Sequence, residues 1–183
     1  MDLISTSIEG CFVIQPKIHN DKRGYFVKTF HKNIFFDLGL ENSFSEDYYS
    51  VSKKGVLRGL HFQRAPYEQS KLIKVSLGKI QDVIVDLRQD SNTYGKWESY
   101  DLSSNNNRIL FVPKGFAHGF LVLSKYAIFS YKVDNYYAPK HDRGIAFDDP
   151  KLGINWQLPL ADLRLSDKDK KLPNLLDATD LFE

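Results

Sequence analysis

Short runs in which apolar and polar residues alternate recur along most of the chain, and this period of two predicts β-strands. Segments rich in Asp, Asn, Ser and Gly separate the runs and predict turns. The predicted strands cover Gly10–Gln15, Tyr25–Phe30, Phe44–Val51, Val56–Phe62, Leu72–Leu77, Ile80–Leu87, Trp97–Leu102, Arg108–Val112, Gly119–Leu123 and Ile128–Val133. Many short strands at close spacing indicate an all-β barrel or sandwich.

Three local signals depart from the strand pattern. Residues 31–40 place apolar side chains at helical spacing and predict one helix that ends near Gly39. Ser166, three residues before Asp169, predicts a helix start within a C-terminal helical tail. The pair Gly78-Lys79 lies between two apolar strands and predicts a tight β-hairpin.

Composition narrows the class of protein further. The 183 residues suit a single domain covering residues 1–183, and the formal net charge of +2 argues against a nucleic-acid binder, which normally carries a basic face. No apolar stretch is long enough to span a membrane, and no signal peptide is visible. Cys11 is the single cysteine, which excludes an intrachain disulfide and indicates a cytoplasmic location.

Two segments carry the clearest chemical signal. The segment GVLRGLHFQ ends at Gln63 and places His61 on a strand, and PKGFAHGF places His118 at the start of a later strand. Together they resemble the two motifs of the cupin barrel. Metal-binding cupins have a second histidine where this chain has Gln63, and glutamine is a poor ligand for zinc or iron. A thin site of His61, Glu68 and His118 stays open, but we predict no metal.

Eight motifs in a fixed order extend this resemblance over residues 10–169. They are DKRGYF (21–26), GVLRGLHFQ (55–63), KLIKV (71–75), DVIVDLR (82–88), PKGFAHGFL (113–121), YKVDNYYAP (131–139), DPKLGINW (149–156) and LSDKD (165–169). This series resembles the dTDP-4-dehydrorhamnose 3,5-epimerase family of bacterial deoxysugar synthesis. The resemblance implies a cupin-type double-stranded β-helix, a homodimer with exchanged N-terminal strands, no cofactor, and a tail of residues 157–183 packed near the active site.

The residue types suit proton transfer beside a ketone. Removing that hydrogen needs a base and a cation near the keto oxygen, and inversion needs an acid on the opposite ring face. The resemblance implies that His61 is the base, Lys71 the cation and Tyr131 the acid. It assigns Asp169 as the carboxylate that fixes the histidine tautomer. Asp169 could instead cap the helix start, and Asp167 is a second candidate for the partner.

A second group of residues is expected to bind the substrate. Arg23 and Arg58 suit a diphosphate, because a guanidinium pairs two oxygens at once. The resemblance implies that Tyr137, beside the similar Tyr136, stacks on the nucleotide base. Asp82 and His118 line the pocket or form a buried hydrogen-bonded pair. Phe26 is expected to line the nucleotide region.

The chain departs from the family pattern in the nucleotide region. Lys28 stands where the family usually has Glu, and the run EDYYS at residues 46–50 replaces Gln-Asp-Asn-x-Ser. Lys28 carries only donors and an ionised Glu46 only acceptors, the reverse of what thymine needs. These changes are either drift at a solvated rim or a switch toward cytosine.

The expected function is therefore inversion of C3, C5 or both in a nucleotide-linked 4-keto-6-deoxyhexose, with dTDP favoured and CDP as the alternative. The sequence does not separate single from double inversion, because base, cation and acid are the same. More distant alternatives are a sugar ketoisomerase and a non-catalytic sugar-binding cupin. The expected partners are the nucleotide sugar and a second copy of the chain, and neither nucleic acid nor a membrane.

Overall fold

The computed structural model describes residues 1–41, 43–179 and 181–182. Within these residues the chain forms thirteen strands, one short α-helix and three 3₁₀ turns. The strands are β1 Asp2–Ser5, β2 Phe12–Gln15, β3 Ile18–Asp21, β4 Gly24–Val27, β5 Glu46–Lys53, β6 Leu57–Gln63, β7 Lys71–Leu77, β8 Lys79–Asp86, β9 Trp97–Ser103, β10 Ile109–Val112, β11 Phe116–Val122, β12 Tyr126–Val133 and β13 Asp142–Gly144. The helix α1 spans Lys32–Asp37, and the turns span Leu160–Asp162, Asp169–Lys171 and Leu175–Asp177. The prediction of an all-β fold is confirmed.

Two antiparallel sheets form the body of the protein. The larger sheet has the strand order β1-β2-β10-β7-β12-β5, and the smaller has the order β13-β6-β11-β8-β9. Strands β3 and β4 form a separate two-stranded ribbon. In the part of the chain that the structure describes, the large sheets stack as a jelly-roll sandwich and remain separate sheets rather than one closed barrel.

Apolar side chains fill three layers, because strand residues alternate between the two faces of a sheet. The layer between the sheets contains Ile73, Ile84 and Phe129, all 2% exposed or less. Outside the larger sheet, Phe35 of α1 packs against Leu72. The remaining face, outside the smaller sheet, is covered by residues that follow β13. A ligand cavity between the two sheets is therefore lined by side chains of the inner layer, such as Phe129.

The prediction of a hairpin at Gly78-Lys79 is wrong. Strand β7 pairs with β10 and β12, whereas β8 pairs with β9 and β11 in the other sheet. The turn therefore passes the chain from one sheet to the other. Gly78 has φ +84°, and a Cβ there would lie 2.2 Å from the carbonyl oxygen of Tyr126, so the turn requires glycine. A tight turn has the same sequence signal whether its flanking strands pair or separate.

The single helix is shorter than the sequence predicted. Helix α1 begins after His31, whose Nδ1 accepts a hydrogen bond from the backbone N–H of Ile34 at 3.5 Å. It ends before Gly39, which has φ +70° as the helix-stop signal indicated. Strands β1, β3 and β13 were not predicted. Strands β3 and β13 consist mostly of polar residues, so they lack the apolar positions that marked the other short strands.

The C-terminal tail packs against the smaller sheet through backbone hydrogen bonds. Leu57 donates to the carbonyl of Arg164 at 3.0 Å, and Arg164 donates to the carbonyl of Gly55 at 2.8 Å. The tail forms 3₁₀ turns where the sequence predicted helix. Residues 180 and 183 of the predicted tail lie outside the described residues. This packing brings Arg164 and the turn Asp169–Lys171 beside β6.

Candidate active site

A cavity of about 730 Å³ opens between the two sheets. Its wall combines side chains from both sheets, from the loop between β12 and β13, and from the tail. The larger sheet contributes Tyr48, Lys71, Phe129 and Tyr131; the smaller sheet contributes Arg58, His61, His118 and Phe120; the loop and tail contribute Tyr137, Ser166, Lys168 and Asp169. A ligand held there is flanked by groups that belong to opposite sheets.

Irregular strand pairing allows Arg58 and His61 to line the cavity together. Residues three apart on a regular strand point to opposite faces. Here the β6–β11 register shifts between His118 and Phe120. Gly59 has φ +126°, and a Cβ there would lie 2.5 Å from the Cα of Gly119. Glycine at position 59 therefore permits the backbone conformation that brings both side chains into one site.

His61 and Asp169 form a close pair in this cavity. The Nε2 atom of His61 lies 2.7 Å from Oδ1 of Asp169, whose side chain is only 5% exposed. The backbone N–H of Asp169 donates to Oγ of Ser166 at 3.1 Å. Ser166 therefore bonds to the Asp169 backbone but does not cap a helix, since the 3₁₀ turn here begins after Lys168 without a side-chain cap. The Asp169 carboxylate remains available to the imidazole.

The electrostatics of Asp169 favour its ionised form. Burial alone would raise the pKa of Asp169, but hydrogen bonds from His61, from the Gly59 backbone and from Ser166 outweigh it and lower the pKa below its usual value. Asp167, the alternative partner, has a side chain that is 94% exposed and forms an ion pair with Lys170 at 3.7 Å. Of the two carboxylates that the sequence offered as the partner of His61, only Asp169 lies beside the imidazole.

Lys71 places a buried amine in the cavity wall. The residue is 9% exposed, and its Nζ donates to the carbonyl oxygen of His61 at 3.4 Å. Burial lowers the pKa of Lys71 to about 8, although the carboxylates of Asp142 and Asp82 act in the opposite direction. The ammonium therefore loses its proton far more easily than an ordinary lysine, and a developing anion beside it would restore the charged form.

Tyr131 lies on the inner face of β12, next to Phe129 on the same face. The two rings have centroids 5.2 Å apart, and the ring of Tyr48 on β5 lies 4.8 Å from that of Tyr131. Burial raises the pKa of Tyr131, with a smaller opposing effect from the positive charge of Arg58. The phenol is therefore held in its protonated form at neutral pH, as a proton donor requires.

His118 and Asp82 form a buried pair at the edge of the same site. The Nε2 atom of His118 lies 3.0 Å from both carboxylate oxygens of Asp82, which is fully buried. Burial lowers the pKa of His118 and raises that of Asp82, while the attraction between the two opposes both shifts. His118 lines the cavity and Asp82 lies behind it. The pair is therefore both buried and hydrogen-bonded, and it contributes one side chain to the cavity wall.

Gln63 fixes the loop between β12 and β13. Its Nε2 donates to the carbonyl oxygens of Tyr67 at 2.7 Å and Tyr136 at 3.0 Å, and its Oε1 accepts from the N–H of Ala138 at 2.6 Å. The amide that replaces a cupin ligand therefore holds the backbone on both sides of Tyr137. The described residues contain no group of three or more His, Cys, Asp or Glu placed to hold a metal ion.

Besides His118, two further predicted binding residues lie in the cavity wall. Arg58 donates from Nε to the Oγ of Ser52 at 3.3 Å and lines the cavity. Tyr137 lines it from the loop, with its hydroxyl donating to Asp142 at 3.2 Å. Asp142 also pairs with Lys168 of the tail. A guanidinium and an exposed aromatic ring thus lie near the side chains that the sequence predicts to transfer protons.

Other predicted binding residues lie away from the cavity of the single chain. Arg23, Phe26 and Lys28 lie on or beside the β3–β4 ribbon, where the side chain of Arg23 is 85% exposed and Phe26 is 63% exposed. Arg23 forms an ion pair with Asp21 at 2.6 Å. Glu46 also lies outside the cavity wall, and its carboxylate accepts hydrogen bonds from neighbouring residues. Within one chain, these four side chains lie apart from the predicted catalytic residues in the cavity.

Some residues of the cavity wall were not predicted from the sequence. Tyr48, Ser166 and Lys168 line it, although Ser166 was recognised only as a helix cap. Tyr48 could be identified as a site residue from its position opposite Tyr131 in the β5–β12 register. That position is known only once the strand pairing is known. The neighbouring Tyr49 is 72% exposed and also lines the cavity, so residue type alone does not show which of the two tyrosines lies against Tyr131.

The fold and the cavity define a class of protein: a cupin-like jelly roll with a cavity lined by ionisable side chains from both sheets. The sequence profile of the dTDP-4-dehydrorhamnose 3,5-epimerase family matches residues 5–177, and the chain belongs to this family. The resemblance inferred from the eight motifs is therefore confirmed. The family name describes an isomerase. No helix in the described residues has the length and apolar character to cross a membrane.

Three relatives illustrate the similarity. The dTDP-4-dehydrorhamnose 3,5-epimerase of Methanothermobacter thermautotrophicus is 50% identical over 91% of this chain and 90% of its own length. The Legionella pneumophila epimerase RmlC in complex with dTDP-4-keto-L-rhamnose has a TM-score of 0.94 and 42% identity, covering 100% of this chain and 97% of its own. ChmJ, a 3'-monoepimerase from Streptomyces bikiniensis in complex with dTDP-quinovose, has a TM-score of 0.89 and 32% identity, covering 93% and 86%.

Proposed function

We propose that the chain converts dTDP-4-dehydro-6-deoxyglucose to dTDP-4-dehydrorhamnose by inverting C3 and C5. The observation that carries the proposal is one cavity with an imidazole on one sheet and a phenol and an ammonium on the other. Opposite sheets suit the chemistry, because a base and an acid must approach opposite faces of the sugar ring. The relatives with bound dTDP sugars support the same substrate.

The proposed reaction uses three side chains in sequence. His61 removes the hydrogen beside the C4 ketone with Nδ1, since its Nε2 is bonded to Asp169. The electron pair moves into the ring and the keto oxygen becomes an enolate, which the ammonium of Lys71 stabilises. Tyr131 then donates its proton to the opposite face of the carbon. Solvent returns the proton to the phenolate and removes the one that His61 gained.

We propose that Arg58 and Tyr137 hold the nucleotide diphosphate, with the guanidinium on phosphate oxygens and the ring against the base. The cytosine alternative depended on Glu46 and Lys28 reaching the base edge. Glu46 instead accepts hydrogen bonds from the Tyr48 hydroxyl and the Tyr137 backbone, so one of the two side chains that this alternative requires is already bonded within its own chain. We therefore propose thymine as the base.

Inversion at one carbon is a second candidate, because the ChmJ relative is named a 3'-monoepimerase. Proton NMR of dTDP-4-dehydro-6-deoxyglucose with the enzyme in heavy water separates the candidates. Deuterium and inverted product at both C3 and C5 support the proposal, whereas labelling of C3 alone supports the single inversion. No exchange above that of His61→Asn at either carbon would overturn both.

We propose a cytoplasmic homodimer in which the β3–β4 ribbon reaches the partner's cavity. The ribbon exposes Tyr25 and Phe26, and the edge strand β5 exposes Tyr49 and Val51, each by more than half. Exposed apolar side chains on a ribbon and on an open sheet edge suit pairing between chains. Strands β1 and β2 pair within their own chain, so the proposed exchange concerns the ribbon. Cys11 is a buried free thiol, which fits a reducing compartment.

Mixed dimers test whether the ribbon acts in the partner's site. Arg23→Ala and His61→Asn chains are each expected to be inactive alone. After unfolding and refolding together, about a quarter of the sites should be intact if Arg23 works across the interface, because half of the dimers are mixed. If Arg23 serves its own chain, every site keeps one defect and activity stays absent. Light scattering measures the oligomeric state in parallel.

A further inference from the structure

Tyr48 supports the ring of Tyr131 from the neighbouring strand. The two residues lie opposite each other in the β5–β12 register, and their ring centroids are 4.8 Å apart with an interplanar angle of 58°. Tyr48 also lines the cavity. Aromatic pairs at this separation are mutually stabilising. The position of Tyr48 therefore affects the orientation of the proposed proton donor.

Glu46 anchors Tyr48 from two residues earlier on β5. The hydroxyl of Tyr48 donates a hydrogen bond to Oε2 of Glu46. Burial raises the pKa of Tyr48, and the hydrogen bond and negative charge of Glu46 act in the same direction. The phenol consequently stays protonated at neutral pH and keeps donating to the carboxylate.

The same carboxylate oxygen holds the loop that carries Tyr137. The backbone N–H of Tyr137 donates to Oε2 of Glu46 at 3.0 Å. Gln63 holds the adjoining backbone through Tyr136 and Ala138. Unlike Gln63, Glu46 also bonds to a residue that contacts Tyr131. The Glu46 carboxylate therefore connects the loop that carries Tyr137 with the paired rings of Tyr48 and Tyr131.

We infer that Glu46 is a positioning residue that joins the two ends of the substrate site, holding Tyr137 directly and Tyr131 through Tyr48. This inference rests on the proposed function, in which Tyr137 binds the nucleotide and Tyr131 donates the proton. It differs from the hypothesis that Glu46 reads the nucleobase. It also gives the substitutions at 46 and 48 a shared reason, because the two side chains bond to each other.

Three variants and one control separate the two arms of this connection. Glu46→Met removes both hydrogen bonds, so we expect the Kd for dTDP to rise about tenfold and the ratio of inversion to deuterium exchange to fall several-fold. Tyr48→Phe keeps the ring contact but loses its anchor, so only the ratio should fall. Glu46→Gln keeps an acceptor oxygen and should recover most of both properties. Asp47→Asn, on the outer face and paired with Lys132 at 2.6 Å, should change neither.

The two readouts distinguish positioning from a loss of stability. Calorimetry gives the Kd of the folded protein, and the ratio of inversion to exchange is independent of the active fraction. A Glu46→Met protein with the Kd and ratio of Asp47→Asn would overturn the inference. If the wild type fails to turn over the sugar, the proposed function fails, but dTDP binding still tests the link between Glu46 and Tyr137. Equal dTDP affinity in Glu46→Met and wild type would refute that link, whereas weaker binding in Glu46→Met would support it.

Discussion

Replacing Asp169 by Asn tests the base and its partner most directly. The substitution conserves shape but removes the charge that faces Nε2 of His61 at 2.7 Å. A hydrogen bond to a charged group contributes about 1.5–3 kcal/mol, which corresponds to roughly 10- to 150-fold in rate. The amide can also donate to Nε2 and favour the wrong tautomer. We therefore expect kcat to fall by about 10²–10⁴ with little change in KM.

The assay is the initial rate of deuterium exchange and inversion in heavy water, followed by proton NMR. Asp167→Asn is the matched control, because that carboxylate is two residues away and 94% exposed; its rates should stay within about twofold of wild type. Circular dichroism serves to check that both variants are folded. A folded Asp169→Asn enzyme that keeps rates close to wild type would refute the assignment of Asp169 as the partner of His61.

Three further outcomes follow from the same geometry. In Tyr131→Phe, exchange should persist better than inversion, because the proposed base remains while the proposed acid is lost; an equal fall of both by NMR would instead indicate that Tyr131 orients the ring. The value of kcat/KM should fall above pH 8, because the pKa of Lys71 is lowered to about 8 by burial, and Lys71→Arg should move that limb to higher pH; an unmoved limb would assign it to another group. Asp82→Ala leaves the buried imidazole of His118 without its hydrogen-bond partner, so the free energy of unfolding in urea should fall by about 1–3 kcal/mol, and a loss below about 0.5 kcal/mol would contradict the importance of the pair.

The sequence predicted the residues of the candidate site better than the strand pairing that surrounds it. The ordered motifs identified His61, Lys71 and Tyr131, and the structure brings all three into one cavity. Alternation predicted most strands but not their partners, because it reports which face is buried and not which strand lies beside it. The turn at Gly78 therefore has the sequence signal of a hairpin, although the chain passes there from one sheet to the other. Pairing between β5 and β12 was equally hidden, and with it the contact of Tyr48 with Tyr131.

The position of Glu46 also changes what selectivity between nucleotides should depend on. A carboxylate that read the base edge would hold thymine and cytosine unequally, since their hydrogen-bond patterns are reversed. A carboxylate bonded to the Tyr48 hydroxyl and the Tyr137 backbone positions an aromatic ring, and stacking on a ring tolerates either base. Glu46→Met should thus weaken dTDP and CDP binding by the same factor and leave their affinity ratio unchanged in calorimetry. A ratio that shifts by tenfold or more would mean that Glu46 contacts the base itself, and the hydrogen bonds seen within the chain would then have to rearrange when the nucleotide binds.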